Sequence, residues 1–574
     1  MVARNRRHGD SATGTIGRLR WLVGVYILLA GSVIARLFFL QVIHFKRYAA
    51  EAAGIRTVSL EVPAPRGEIK LLSGLPIAVT QERYLVIADP SLVKEPETAA
   101  VRLAEILATD KEIFAGKLGR RQDRYEVLAH GATLQQKERI EAEKIVGIFF
   151  HEEPTRWYPE KDLFAHLTGF VGFTDEKASG RYGLEEFFDE ELRGVAGMIR
   201  GERDLKGQLI PTSDPVIGKG EAGTTLVLTL DRSVQFFACQ ALKRYVEKFS
   251  AAGGTVIIQE SATGRIIALC NEPTFNPNHY QQAEISEFIN PAIAFQYEPG
   301  SVFKPLTMAA GLDLGKVTPQ STYEDTGEVR FGKSIIRNSD LKAHGIQTMT
   351  QLLEKSLNTG AVHVQRLVGK ETFTRYVRAF GFGELTGVTL SAEEDGDVSS
   401  LDKPGEIYAA TASFGQGIAV TPLQLVTAYS ALANGGKLMQ AQLVAEKRLA
   451  SGVVVPTVPQ MVRQVLKPET SQVIIPMLVS VVDKGHGKRA GVKGYYVAGK
   501  TGTAQIPLAQ GGGYEAEAHI GNFVGFLPAD HPRFTMMTKI DRPQGVKFAE
   551  SSVAPLFGEI AKFLVNYYKI PPSR

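Results

Sequence analysis

A continuous apolar run near the N-terminus constrains this chain more than any other feature. Residues 21–43 read WLVGVYILLAGSVIARLFFLQVI, in which Arg36 is the one charged side chain. As an α-helix this run is about 34 Å long, enough to cross a hydrocarbon layer of roughly 30 Å. The sequence holds no second run of comparable length. We therefore predict a single transmembrane helix over residues 21–43 that carries a large body outside the bilayer.

Basic residues before this run predict its orientation. Residues 1–20 contain five arginines and one aspartate. The positive-inside rule then predicts a cytoplasmic arm over residues 1–20 and an extracytoplasmic, periplasmic body after residue 44, held in the inner membrane. The alternative is a cleaved signal peptide, since residues 50–52 (Ala-Glu-Ala) resemble a cleavage site. The apolar run continues past the usual length of a signal core, which favours an uncleaved anchor.

Composition excludes several other classes of protein. The 574 residues carry 65 Lys+Arg against 61 Asp+Glu, a formal net charge of +4, so no dense basic surface for a nucleic acid is expected. Two cysteines are too few for a disulfide framework or a four-thiolate zinc site. The 11 histidines form no H-E-x-x-H motif. We expect neither a metal nor a cofactor.

The exported body mixes helical and strand patterns. A turn-rich stretch over residues 212–223 predicts a domain boundary. After it, the sequence predicts a strand at 225–230, a helix at 231–250 and a hairpin from 254 to 270, and the chain ends in a predicted helix. These patterns indicate a sheet covered by helices.

The first chemical motif is a serine followed three residues later by a lysine. In Glu298-Pro-Gly-Ser-x-x-Lys304, Ser301 follows a Pro-Gly turn and begins a predicted helix. Residues three apart share one face of a helix, so the Lys304 amine can approach the Ser301 hydroxyl. A serine hydroxyl becomes a nucleophile when an adjacent base takes its proton. Alone the pattern is weak, because a capping serine and a surface lysine also produce it.

Two further motifs strengthen this interpretation. Ser356-Leu-Asn358 lies on a predicted connection between helices, where the hydroxyl can relay a proton and the amide can orient the lysine or a substrate amide. Lys500-Thr-Gly-Thr503 follows a predicted strand over residues 494–498. Its ammonium and hydroxyl groups suit a carboxylate, and the glycine between them lets a substrate backbone approach closely.

In order, spacing and flanking residues, the three motifs resemble the active-site motifs of the penicillin-binding transpeptidases, the group that includes the serine β-lactamases. Stretches at 414–424, 433–436 and 523–528 resemble the same domain. Residues 66–69 (Arg-Gly-Glu-Ile) and 183–185 (Gly-Leu-Glu) resemble the pedestal of class B, or monofunctional, members. The chain thus resembles a class B penicillin-binding protein, most closely of the division-specific (FtsI) type.

This resemblance implies an α+β fold in four parts. After the arm and the membrane anchor, residues 44–220 would form an elongated α/β pedestal of the non-catalytic, dimerisation type. Residues 221–574 would form the transpeptidase domain, an antiparallel sheet flanked by helices with an all-helical subdomain.

The resemblance also implies the roles of the motif residues. Ser301 would attack the D-Ala–D-Ala bond of a peptidoglycan stem peptide, with Lys304 as base and Ser356 and Asn358 relaying protons and positioning groups. Lys500 would help to hold the substrate carboxylate.

The strand motif would supply the remaining substrate contacts. Thr501 and Thr503 would hold the carboxylate beside Gly502, and the N–H groups of Ser301 and Thr503 would form the oxyanion hole. An amine of a neighbouring stem peptide would resolve the acyl-enzyme, and β-lactams would acylate Ser301.

Implied partners are a lipid II polymerase of the SEDS family and divisome proteins. The alternatives are an elongation-type class B transpeptidase, a β-lactamase or β-lactam sensor, and a membrane-anchored scaffold. A β-lactamase needs no pedestal, and intact motifs argue against a purely scaffolding role.

Overall fold

The computed structural model describes residues 12–62, 64–174, 177–202, 216–218, 220–508 and 513–574. Most of the predicted cytoplasmic arm and much of the turn-rich stretch at 212–223 lie outside the described residues. The chain divides into two compact units, one within residues 1–64 and 195–221, the other within 65–194 and 222–574.

The α-helices are α1 Ala12–Phe38, α2 Phe45–Arg56, α3 Pro96–Leu107, α4 Lys111–Leu118, α5 Leu134–Ala142, α6 Ala165–Thr168, α7 Gly183–Phe187, α8 Asp189–Arg193, α9 Arg232–Lys248, α10 Ile285–Phe288, α11 Pro291–Ala294, α12 Lys304–Asp313, α13 Met349–Lys355, α14 Asn358–Val368, α15 Lys370–Ala379, α16 Glu406–Ala412, α17 Pro422–Ala433, α18 Pro468–Asp483 and α19 Ala549–Tyr567.

The strands are β1 Thr57–Val62, β2 Ile69–Leu71, β3 Pro76–Gln81, β4 Tyr84–Ala88, β5 Glu126–Ala132, β6 Ile148–Glu152, β7 Thr155–Trp157, β8 Phe170–Thr174, β9 Lys177–Arg181, β10 Gly197–Glu202, β11 Val216–Gly218, β12 Thr225–Leu228, β13 Gly253–Glu260, β14 Ile266–Glu272, β15 Thr322–Asp325, β16 Glu328–Phe331, β17 Ser334–Arg337, β18 Gly345–Thr348, β19 Lys437–Met439, β20 Val444–Arg448, β21 Val454–Pro456, β22 Met461–Gln464, β23 Ala498–Pro507, β24 Tyr514–Leu527 and β25 Phe534–Asp541.

The first unit contains the apolar run and a small sheet. Helix α1 continues through a π-helical segment, Phe39–Ile43, and within the apolar span Gly17–Ile43 no residue is buried by protein. Strands β1, β10 and β11 form an antiparallel three-stranded sheet. Within the described residues, Gly17–Ile43 is the one helical span long and apolar enough to cross a membrane.

The second unit is built around a five-stranded antiparallel sheet in the order β14-β13-β25-β24-β23. Helices α9 and α19 pack on one face, and α17 packs on the other, against β13, β24 and β25. The predicted helix at 231–250, the hairpin and the C-terminal helix are present as α9, β13–β14 and α19. Mixed helices and strands in this arrangement confirm the predicted α+β class.

A six-stranded sheet, β21-β20-β12-β2-β3-β7, lies beside these elements in the same unit. Strand β12 pairs in parallel with β2 and antiparallel with β20, so segments far apart in sequence share one sheet. Beside it, the fully buried Glu185 carboxylate accepts hydrogen bonds from Arg66 (2.7 Å) and Arg156 (2.6 Å). Two guanidinium groups thus compensate one buried carboxylate charge. Removing either an arginine or the glutamate leaves a buried charge without its partner, which destabilises the fold.

The two cysteines form a single disulfide. Cys239 on α9 is bonded to Cys270 on β14, across a sequence separation of 31 residues. The bond ties a helix to the outer strand of the five-stranded sheet. The cysteine count predicts no disulfide framework, and one isolated bridge is compatible with that prediction.

Candidate active site

The segment that carries Ser301 changes from a loop to a helix within a few residues. Gly300 has a φ of +64°, and its N–H donates to Gly415 O at 3.0 Å. A 3-10 turn over Gly300–Phe303 follows, and α12 begins at Lys304 with Pro305 in its first turn. A proline is tolerated there because first-turn N–H groups have no partner within the helix. Ser301 is half-buried at the start of this turn.

Lys304 joins two of the predicted motifs. Its side chain is buried, and Nζ donates to Ser301 Oγ at 3.0 Å and to Ser356 Oγ at 3.1 Å, as well as to the Ser356 carbonyl oxygen. Burial, and then the charge of Lys500, hold the pKa of Lys304 well below the ordinary value for lysine. The lowered pKa favours the neutral amine, and in that form Nζ can accept the proton of the Ser301 hydroxyl across the same 3.0 Å contact.

Ser356 lies on the short connection between α13 and α14, and Asn358 is the first residue of α14. Ser356 has a φ of +59° and ends α13, which turns its hydroxyl toward Lys304. The Asn358 amide instead donates to Arg337 O at 2.8 Å, and among the described residues no hydrogen bond joins it to Lys304. The prediction that Asn358 orients the lysine therefore finds no support in this geometry, and the substrate amide remains its predicted partner.

Lys500, Thr501 and Thr503 lie inside β23, the edge strand of the five-stranded sheet. The strand predicted over residues 494–498 was wrong, since β23 begins at Ala498. Tyr495 and Val497 are buried in a loop, where the Tyr495 hydroxyl donates to Ile570 O at 2.6 Å. Their burial produces a strand-like apolar pattern without a strand.

The cation on β23 is enclosed. Lys500 is fully buried, Nζ donates to Thr501 O at 3.0 Å, and burial lowers the pKa of Lys500 to about 7. Thr501 is also buried, whereas Thr503 is exposed and its Oγ1 accepts a hydrogen bond from Ala549 N, at the start of α19, at 3.2 Å. Strand β23 thus carries the exposed Thr503 hydroxyl and the buried Lys500, whose pKa is lowered.

Gly502 has a structural role besides the predicted one. A methyl group at this position would lie 2.2 Å from Asn522 Oδ1 and 3.0 Å from both Pro299 O and Val302 Cγ1. Protein atoms therefore occupy the space where a side chain would begin, and the approach of a substrate backbone to this residue stays a prediction. Gly502 allows the segment that carries Ser301 to pack directly on β23.

The structure brings three motifs from distant parts of the sequence close together, and further buried polar residues outside these motifs lie beside them. Asn522 on β24 and Lys539 on β25 are fully buried behind Ser301. In the sequence, each of these two residues is visible only as a polar residue within an apolar strand. That pattern by itself indicates no function.

Comparisons with known proteins agree with this arrangement. The profile of the penicillin-binding protein transpeptidase domain matches residues 254–562, and that of the penicillin-binding protein dimerisation domain matches residues 61–228. The chain is 30% identical over 562 residues to stage V sporulation protein D of Bacillus subtilis, covering 96% of this chain and 86% of that protein.

A further relative and a protein of known structure are also similar to this chain. The chain is 30% identical over 588 residues to the peptidoglycan D,D-transpeptidase FtsI homolog of Mesostigma viride, covering 96% of each. The crystal structure of penicillin-binding protein 3 from Mycobacterium tuberculosis with aztreonam is similar at a TM-score of 0.70 and 25% identity, covering 90% of this chain and 98% of that one. The chain belongs to the penicillin-binding protein family, with a transpeptidase domain that follows a dimerisation domain.

Proposed function

We propose that this protein is a peptidoglycan D,D-transpeptidase that works through a serine acyl-enzyme. The observation that carries the proposal is the pair of hydrogen bonds from the buried Lys304 amine to the Ser301 and Ser356 hydroxyls. Relatives named as D,D-transpeptidases, and a similar protein bound to the β-lactam aztreonam, support it.

In the proposed acylation, neutral Lys304 takes the proton from Ser301 Oγ, which attacks the carbonyl carbon of the penultimate D-Ala. The N–H groups of Ser301 and Thr503 stabilise the oxyanion, a kind of contact whose loss typically costs about 10²–10³ in rate. Ser356 then passes the proton from Lys304 to the departing D-Ala amine. The C–N bond breaks, and the acyl group stays on Ser301.

Substrate orientation is assigned to the edge strand. Lys500 with Thr501 and Thr503 binds the terminal carboxylate, Gly502 keeps the strand close to the nucleophile, and Asn358 binds a substrate amide. In the second half of the cycle, an amine of a neighbouring stem peptide attacks the acyl carbonyl, gives its proton back through the same relay and releases the Ser301 hydroxyl. A β-lactam acylates the same oxygen because its ring carbonyl mimics the scissile amide.

Labelling with a fluorescent penicillin tests the chemistry. We expect covalent labelling of the wild-type protein in membranes, none of Ser301→Ala, and full labelling of Ser91→Ala, a matched substitution at an exposed pedestal loop. Labelling that survives Ser301→Ala would contradict the proposed nucleophile.

We further propose a single-pass protein of the inner membrane whose catalytic domain is periplasmic and serves septal synthesis beside a SEDS-family polymerase and other divisome proteins. The Cys239–Cys270 disulfide supports an extracytoplasmic site, since disulfides persist in oxidising compartments. Depleting the protein from growing cells separates the septal role from the elongation role. Cells that grow into filaments agree with a septal enzyme, whereas cells that become spherical identify an elongation enzyme instead.

A further inference from the structure

A row of three residues crosses the sheet directly behind the nucleophile. Gly502 on β23 pairs with Asn522 on β24, and Asn522 pairs with Lys539 on β25. Asn522 and Lys539 are fully buried, and neither belongs to a motif that the proposed mechanism uses. The row faces the segment over residues 295–301, which we call the nucleophile segment.

Asn522 connects the sheet to this segment through its amide group. Nδ2 donates to Pro299 O at 3.1 Å and to the Tyr297 hydroxyl at 3.2 Å. A carbonyl oxygen can only accept, so the amide must direct its NH₂ group toward Pro299. Oδ1 accepts no hydrogen bond from the described residues and faces the space beside Gly502. The amide therefore occupies a position where one of its two polar atoms has no partner among the described residues, which is unfavourable for a buried group.

The start of the nucleophile segment has further contacts besides the hydrogen bond between Asn522 and the Tyr297 hydroxyl. The Tyr297 N–H donates to Val420 O and its carbonyl accepts from Val420 N, at 3.1 and 3.0 Å. Lys539 Nζ lies 4.3 Å from the ring centre of Phe295 and 5.3 Å from that of Tyr297, and it forms an ion pair with Asp541. These contacts fix the start of the segment.

Between Tyr297 and Ser301, two backbone groups of the segment are held. They are the Gly300 N–H, bound to Gly415 O, and the Pro299 carbonyl, bound to Asn522. The side chain of Glu298 adds a third point of contact, since its carboxylate accepts from Gly417 N and from the Tyr514 hydroxyl.

Among the described residues, the Pro299 carbonyl is the one backbone group of this stretch that is bonded to the sheet containing β23. It lies two residues before Ser301, so its hydrogen bond to Asn522 helps to set the distance between Ser301 and the strand that supplies the second oxyanion N–H.

We propose that Asn522 is a positioning residue for the transpeptidase reaction, which holds Ser301 in register with β23 through the Pro299 carbonyl. This inference rests on the proposed function. Reacting groups must meet within a narrow distance, and a displacement of about 1 Å far from the chemistry can cost roughly 10²-fold in rate. Asn522 acts through Ser301 and touches no reacting atom.

The test compares Asn522→Leu with Asn271→Leu, both in the full-length protein in detergent. Asn271 is a matched control: it is buried, bonded to Thr255 and Asn290, and lies on β14, at the opposite edge of the same sheet. Acylation by a fluorescent penicillin is followed in single turnovers, which separate the dissociation constant from the acylation rate constant. A thermal melt of each variant measures stability.

We expect N522L to lower the acylation rate constant by about 10–100-fold, with a dissociation constant within about twofold of wild type. We expect N271L to lower the melting temperature comparably while acylating at the wild-type rate. The pH below which acylation slows, which we expect to reflect protonation of Lys304, should stay the same in N522L, because Asn522 does not contact Lys304. Equal rate constants for the two variants would overturn the inference.

If N522L does not fold, the acylation rate constants of Asn522→Ser and Asn271→Ser are compared instead, because the smaller serine side chain is more easily accommodated. A tenfold or greater slowing of N522S relative to N271S supports the role, and equal rates overturn it. Failure of the wild-type protein to become labelled would refute the proposed function instead, so the two failures are distinguishable.

Discussion

Lys304 and Lys500 are both buried, although each is charged in water. Burial alone lowers the pKa of Lys500 to about 7, and the pKa of Lys304 is lowered by burial and by the charge of Lys500. The proposed chemistry needs opposite states of the two groups, a neutral Lys304 to take the serine proton and a charged Lys500 to bind a carboxylate. Each lysine therefore limits activity on a different side of the pH range.

We predict an acylation profile with an acid and an alkaline limb. Below the lowered pKa of Lys304 the amine is protonated, and the rate constant falls about tenfold per pH unit. Above about pH 7, Lys500 loses its charge and the dissociation constant for a carboxylate ligand rises. Single-turnover acylation between about pH 5 and 9 measures both limbs.

Lys500→Met tests the coupling between the two lysines. Without the neighbouring charge, the pKa of Lys304 rises, so the acid limb moves to higher pH. Lys355→Met, an exposed lysine next to Ser356, is the control and should leave the limb in place. An acid limb that does not move in Lys500→Met would contradict the assignment of Lys304 as base.

Gly502 gives a further prediction at the residue scale. Gly502→Ala places a methyl group against Asn522 and Pro299, so the nucleophile segment must move away from β23. We expect acylation to slow by about 10²-fold. Gly116→Ala, in the middle of α4 with no atom near the added methyl group, should acylate at the wild-type rate. If Gly502→Ala is acylated at the wild-type rate, close packing of the nucleophile segment on β23 is not needed for the reaction.

At the scale of elements, the disulfide joins α9 to the sheet edge opposite the catalytic strand. Closing a loop of this length restricts the unfolded chain, and its loss is expected to cost about 3–4 kcal/mol. We predict that Cys239→Ala/Cys270→Ala lowers the free energy of unfolding by this amount in urea titrations. Acylation should be nearly unchanged, because β14 and β23 lie at opposite edges of the sheet.

Reductant provides the control for that prediction. It should destabilise the wild-type protein to the same extent and leave the double variant unaffected. A wild-type protein whose unfolding is insensitive to reductant would show that the bridge does not form in solution.

Elements also show where local sequence patterns were sufficient. The 3-residue spacing of Ser301 and Lys304 predicted their contact, and the structure has the two side-chain atoms 3.0 Å apart. The contact of Lys304 with Ser356 could not be predicted from spacing, because it depends on how α12 packs beside the α13–α14 connection. The predicted strand before Lys500 was wrong because Tyr495 and Val497 are buried by the C-terminal segment, which no local pattern reveals.

At the scale of the whole molecule, the apolar helix predicts how the protein is held. We expect the protein to remain in membranes through a carbonate wash and to keep an N-terminal epitope tag. Leu28→Arg/Leu29→Arg, which adds about 6–8 kcal/mol to the cost of insertion, should reduce membrane integration sharply. A soluble product that lacks the tag would identify a cleaved signal peptide instead.

The sequence by itself determined the long apolar run near the N-terminus, the α+β class and the residues that carry the motifs, because each is expressed in local composition or short spacing. Only the tertiary structure decided that Asn358 turns toward Arg337, that Gly502 makes room for the nucleophile segment, and that Asn522 is bonded to that segment. These three depend on contacts between segments that are distant in the chain, and the packing of the sheet against the helices creates those contacts. The sequence names the reactive groups, and the packing sets the distances between them.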